Sequence, residues 1–170
     1  MLRRADTRKR IAFAMILSPP ISSSLLWLEC KTEPVTTPPV VELIRSPALT
    51  DRASYAYAAA VCDASRLIFT AGACPLDGGG AIVAVGDVTR QTEQVMANLE
   101  TALNAAGAGI TDVVKTTIYV ANDQREDLLA AWNVISAAFG DHDVPSTLVG
   151  VAVLGYPDQL VEVEAVAAVR

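Results

Sequence analysis

The stretch Thr111 to Val120, TDVVKTTIYV, decides the fold, because it alternates and is built from Val, Thr, Ile and Tyr, the residue types that favour a pleated, half-buried strand. Helical patterns flank it on both sides. Upstream, Val95, Leu99, Ala102, Leu103 and Ala106 recur at steps of three and four, with Asp87 placed to cap the start and Gly107 to end it. Downstream, Leu128, Trp132, Ile135 and Phe139 repeat at the same spacing after Asn122 or Asp123 as cap, and Gly140 with Asp141-His142-Asp143 closes the helix. Short apolar runs at Val40–Ile44 and Ser54–Val61 predict a first hairpin, and Leu67–Thr70 a third strand ending in the small residues Ala71-Gly72-Ala73. Cys74 to Gly80 is a loop by its Pro, Asp and Gly content. Two more strands, Thr147–Leu154 and Leu160–Val169, are joined by a turn at Gly155-Tyr156-Pro157-Asp158. The order predicts an α+β protein with one mixed sheet packed on two α-helices.

Helices on one side leave the other face of the sheet uncovered. In the last strand Val163, Ala165 and Ala167 form an apolar row, while Glu162, Glu164 and Val166 form a mixed one. A mixed row of that kind suits an interface between subunits.

At 170 residues the chain fits one domain that buries about two thirds of its unfolded surface without disulfides or a metal. Its charge is uneven. The first ten residues carry +4 against −6 for the whole chain, which leaves the remaining 160 at −10. An acidic body disfavours nucleic acid as a partner, since phosphate contacts need a basic surface. Cys30, Cys62 and Cys74 are odd in number and contain no C-x-x-C pair, which argues against a disulfide framework or zinc site and suits a reducing, cytoplasmic setting. No metal or cofactor is expected. Residues 1–47 differ from the rest: a basic start and a proline-broken apolar run imitate a secretory signal without its cleavage site. They are expected to be a disordered or artefactual extension from an upstream start codon, or else a targeting segment, with the domain at 48–170. The run is too interrupted to span a membrane.

Among residues able to carry chemistry, His142 sits in a turn-like segment, and no G-x-S-x-G elbow exists for a nucleophilic triad. His142 is expected to be a solvated turn residue. Gly78-Gly79-Gly80 lacks the following Lys-Ser/Thr of a phosphate loop. Glu162 has more physical content: a carboxylate on a half-buried strand can hold and activate a water for attack on a C=N bond. Its competing role, shared with Glu164, is a polar pair across an oligomer interface.

RLIFTAG (Arg66–Gly72), DVVKTTIYV (Asp112–Val120) and STLVGVAVLGYPDQLVEVEA (Ser146–Ala165), in that order with a helix between each pair, resemble the Rid (reactive intermediate deaminase, YjgF-type) family. The resemblance covers roughly residues 48 to 169. It implies a chorismate-mutase-like fold, a homotrimer with ligand clefts between neighbouring subunits, and hydrolysis of small enamines or imines with release of ammonia. It places Glu162, the first glutamate of Val161-Glu162-Val163-Glu164-Ala165, where the family positions its hydrolytic water. It also places Asn133 at a cleft asparagine, Tyr57 or Tyr55 at a cleft tyrosine, and Gly72 at a cleft glycine. One departure bears on mechanism. Where deaminating members carry an arginine that clamps the substrate carboxylate, this chain has Ser146, which offers neither charge nor a fork of donors. Losing such a contact removes about 2 to 4 kcal/mol of binding and orientation. Arg125 and Arg170 do not stand in for it, so Ser146, Thr147 and backbone N–H groups are expected to orient a substrate of a different kind. The alternative is a catalytically silent trimer whose cleft binds a small metabolite. Ribonuclease activity, attached to some members, suits an acidic chain with one histidine least.

Overall fold

The structure, a computed structural model, describes residues 38–170. The expected extension lies mostly outside the described residues. The described chain contains β1 (Val41–Ile44), β2 (Ala58–Val61), β3 (Arg66–Phe69), α1 (Val88–Ala105), β4 (Val113–Val120), α2 (Arg125–Phe139), β5 (Ser146–Gly150) and β6 (Val161–Val169). The four strands β3 to β6 form a mixed sheet in the order β3-β6-β4-β5, while β1 and β2 pair antiparallel as a separate ribbon. Strand β6, the longest, runs antiparallel to both β3 and β4. Strands β4 and β5 are parallel, so the chain must cross over between them, and α2 is that crossover. Both helices lie on one face, as the alternation predicts.

The core is the seam between helices and sheet. Val95, Leu99 and Leu103 of α1 and Ala131, Ile135 and Phe139 of α2 meet Ile118 and Val120 of β4 and the apolar row of β6. Helix α1 begins where expected: the Asp87 side chain accepts from the Arg90 N–H at 3.0 Å, meeting one of the orphan donors of the first turn. Helix α2 begins later than expected, with Gln124 at the cap position and no side-chain cap. Asn122 instead accepts from the Gln124 N–H at 3.0 Å, ordering the residues just ahead of the helix. Strand β5 stops at Gly150 rather than reaching Leu154, and a Cβ on Gly150 would stand 2.8 Å from the Asn122 carbonyl, so the backbones are close there.

The ribbon docks on the α2–β5 turn. Arg45 forms an ion pair with Asp143, the Ala56 N–H donates to the Asp143 carbonyl at 2.6 Å, and Trp132 Nε1 donates to Ser54 at 3.0 Å. His142 is part of that turn and is not the freely solvated residue expected. Its Nε2 bonds the Val113 carbonyl at 2.7 Å and its ring stacks on Phe139.

One irregularity redirects side chains. Along β4 a bulge separates Val113, paired with Ala167, from Lys115, paired with Val166. Lys115 keeps the alternation of Thr117 and Tyr119, and it is Val113 that the bulge returns to the helix side. Lys115 therefore lies on the open face, which it shares with Thr117 and Tyr119 of β4, Glu162, Glu164 and Val166 of β6, and Thr147 and Val149 of β5. The same face is apolar at β3, where Phe69 is 72% and Leu67 54% exposed.

Candidate functional site

The site begins at the turn before β6. Two buried glutamines hold it. Gln91 of α1 donates to the Asp158 carbonyl at 2.9 Å and accepts from the Leu160 N–H at 2.8 Å. Gln159 accepts from the Tyr156 N–H at 3.1 Å and donates to Glu162 Oε2 at 2.9 Å. Asp158 between them is in the left-handed region, which aspartate tolerates better than most side chains. The entry into β6 is therefore fixed, and Glu162 with it.

Glu162 leaves β6 on the open face and folds back over the end of β3. A Cβ built on Gly72 would lie 1.9 Å from Glu162 Oε1 and 2.5 Å from its carboxyl carbon, so the carboxylate rests where any other residue would put its side chain. Gly72 is required here for close approach. Cys74 Sγ is 3.7 Å from Glu162 Oε2. Burial first, and the Glu162 charge second, push the Cys74 thiol above its ordinary range, so it stands beside the carboxylate as a neutral group. Oε1 accepts no hydrogen bond from the described residues, yet it is not sealed from solvent. One carboxylate oxygen is thus held and the other is open. A groove of ≈ 420 Å³ runs along β3 to Gly72 and Cys74, although Glu162 is not one of its walls. Asn98 of α1 supports that stretch by donating to the Cys74 and Leu76 carbonyls at 2.8 and 2.9 Å.

A second cluster forms where the ribbon meets the β4–β5 edge. Tyr55, Tyr57, Lys115, Ser146 and Thr147 line a cavity of ≈ 450 Å³ there. Both tyrosines reach it: Tyr55 packs edge-on against Trp132 with ring centres 5.9 Å apart, and the Tyr57 hydroxyl donates to the Thr50 carbonyl. Ser146 is already committed. Its Oγ lies 2.7 Å from the buried Thr116 hydroxyl and donates to the Val144 carbonyl at 3.0 Å. Lys115 Nζ donates to the Thr116 carbonyl and to Thr147 Oγ1, each at 2.7 Å. Burial lowers the Lys115 ammonium from the ordinary lysine range, against the pull of Glu164, whose Oε1 takes the Tyr119 hydroxyl at 3.0 Å. That bond holds the phenol proton and raises Tyr119.

Within one chain the two clusters stay apart. Glu162 pairs in register with Tyr119, whereas Thr147 pairs with Thr117 and Ser146 with Thr116, which separates them by about 7 to 10 Å along the strands. Asn133 joins neither; it is exposed on α2. Sequence reasoning passed over Lys115 and Gln159. Lys115 falls on the row of Thr117 and Tyr119 but carries no motif, and neither does Gln159, so only the assembled contacts reveal them.

A family model described as endoribonuclease L-PSP matches residues 48–169. A RutC family protein of Pyrococcus horikoshii is 35% identical over 105 residues, covering 61% of this chain and 80% of that protein. The solved structure of YyfB from Yersinia pestis, described as a protein of unknown function of the conserved Rid family, superposes with a TM-score of 0.72 at 29% identity, covering 76% of this chain and 99% of that one. The YjgF gene product of E. coli does so with a TM-score of 0.55 at 29% identity and the same coverage. With the mixed sheet on two helices, the Val161–Ala165 strand and these matches in agreement, the chain belongs to the Rid family, the group described by the endoribonuclease L-PSP model.

Proposed function

We propose that the protein hydrolyses small reactive enamines or imines, with Glu162 positioning the attacking water. The observation that supports this most is the half-committed carboxylate. Gln159 fixes Oε2, Gly72 leaves room for the group, and Oε1 remains free to accept from a water. In the reaction, that water adds to the carbon of the protonated C=N group as one of its protons passes to Glu162, giving a neutral carbinolamine. Glu162 then returns the proton to nitrogen and takes up the hydroxyl proton as the C–N bond breaks, and ammonia and a carbonyl product leave, the proton on Glu162 passing to solvent. A neutral thiol beside the carboxylate keeps a second negative charge out of the site.

The separation of the two clusters fits a site completed between subunits. In a homotrimer assembled through the open sheet face, exposed Phe69 and Leu67 would be covered, and Tyr57, Ser146 and Thr147 of one chain would meet Gly72 and Glu162 of another. Asn133, exposed on α2, would reach a cleft only through such an assembly. The substrate is a small molecule; nucleic acid does not suit the acidic body. Among the described residues no helix is long and apolar enough to cross a membrane. A cytoplasmic setting remains the expectation for a chain with free thiols at Cys62 and Cys74.

The second reading is a silent trimer that binds a metabolite. It draws on Ser146, whose hydroxyl is spent on Thr116 and Val144 and replaces the family's charged clamp. Ammonia release from freshly generated imines, measured against the uncatalysed rate, separates the two: acceleration supports the hydrolase, and its absence across imines of several amino acids supports the binder.

A further inference from the structure

We infer that Lys115 is an amine nucleophile whose Nζ condenses with a small aldehyde or ketone, forming an imine in the cavity between the ribbon and the β4–β5 edge. Lys115 is the only lysine among the described residues. It is half-buried, and its Nζ makes two hydrogen bonds of 2.7 Å, to the Thr116 carbonyl and to Thr147 Oγ1. A neutral amine has two N–H donors, so these bonds spend both and leave the lone pair as the fourth tetrahedral position. Burial favours that neutral form, since it lowers the ammonium from the ordinary lysine range. The charged group that opposes it is Glu164 of β6, which shares with Lys115 the walls of a hollow of ≈ 140 Å³ on the open face. Glu164 forms no ion pair with Lys115, and its Oε1 is taken by the Tyr119 hydroxyl.

The cavity of ≈ 450 Å³ that Lys115 and Thr147 line sets the class of partner. Tyr55, Tyr57, Ala58 and Val61 make its walls largely apolar, which suits an uncharged carbonyl compound with a short apolar body. Thr147 Oγ1 accepts from Lys115, so its own O–H is left to donate to the carbonyl oxygen. The Nζ lone pair forms the C–N bond as the C=O π pair moves to that oxygen, and one N–H proton passes through solvent to it, giving a carbinolamine. The nitrogen lone pair then expels the hydroxyl group, which takes a proton from solvent and leaves as water. The product is a protonated imine, and its positive charge lies on the side chain that Glu164 attracts, so the same carboxylate that opposes the free amine favours the adduct. Imine formation does not depend on the hydrolase reading; access to Lys115 in the assembled protein rests on the cleft proposed above.

The test is reductive trapping. The full-length, assembled protein is incubated with propanal and cyanoborohydride at neutral pH, where hydride delivered to the imine carbon leaves a permanent secondary amine, and peptide mass mapping follows the label on Lys115. Labelling should run at least about fivefold faster in the folded protein than on the same lysine in the guanidinium-unfolded chain. Thr147→Val removes one acceptor of the amine and the O–H that faces the carbonyl, and should slow the folded rate by about threefold or more while leaving the unfolded rate unchanged. Labelling no faster than in the unfolded chain, or a folded Thr147→Val protein labelled as fast as the wild type, overturns the assignment. Trapping at Lys115 without hydrolysis of imines leaves the amine site standing and removes the hydrolase reading; hydrolysis without trapping removes the amine site alone.

Discussion

The carboxylate of Glu162 lies against the bare backbone of Gly72, so that a methyl group added there would stand 1.9 Å from Oε1. The two residues are ninety positions apart in sequence, Glu162 on β6 and Gly72 in the segment that follows β3. Gly72 has no positive φ to maintain, so its role is space. Gly72→Ala should leave the fold intact and swing the carboxylate away from its water. A drop in turnover of about 100-fold is expected, the scale for a displacement of about 1 Å at a reacting group. Hydrolysis assayed beside a thermal melt checks this; full activity in a well-folded Gly72→Ala protein would remove Glu162's present position from the mechanism.

Gln159 serves both stability and the site. It is 3% exposed and ties the Tyr156 N–H to Glu162. Gln159→Leu keeps the bulk but leaves those two partners unmatched, and urea denaturation should register a loss of about 1 to 3 kcal/mol. Turnover should fall as well, since Oε2 loses its anchor.

Cys74 reports on the charge of Glu162. Burial and then the carboxylate raise the thiol, so its contribution to stability is fully present below the unfolded thiol pKa and is lost as pH rises through the folded one. Glu162→Gln removes the second of these causes. At a fixed mildly alkaline pH, alkylation of Cys74 followed by mass spectrometry should therefore run several-fold faster in Glu162→Gln. An unchanged rate would mean that the carboxylate is not beside the thiol in solution.

The core should respond independently of the chemistry. Leu99 is fully buried between α1 and the sheet. Leu99→Ala should cost about 2 to 5 kcal/mol in unfolding free energy while activity per folded molecule is retained.

Much of this architecture is legible in the residues. Helical spacing at Val95, Leu99 and Leu103 and at Leu128, Trp132 and Ile135, together with alternation in TDVVKTTIYV and VEVEA, locates both helices and the inner strands, because burial of one face imposes those periods. Glu162 is visible as a carboxylate on a half-buried strand, whereas Gly72 is singled out by the family resemblance and not by any period. The face of Val113 is not legible, because a single bulged residue between it and Lys115 reverses the side on which it falls. The late start of α2 at Gln124 and the short β5 also escape local reading; Asn122 spends its side chain on the Gln124 N–H and on Asp127 ahead of and inside the helix rather than as its cap. Gln91 and Gln159 look like ordinary polar residues until the turn they clamp is assembled.

The most direct test of the central claim is ammonia release from freshly generated imines by assembled wild-type protein and by Glu162→Gln. Acceleration by the wild type that falls by at least about 100-fold in a folded, ligand-binding Glu162→Gln protein is the expected result. Equal acceleration by both would contradict the assignment of Glu162 as the residue that holds the water.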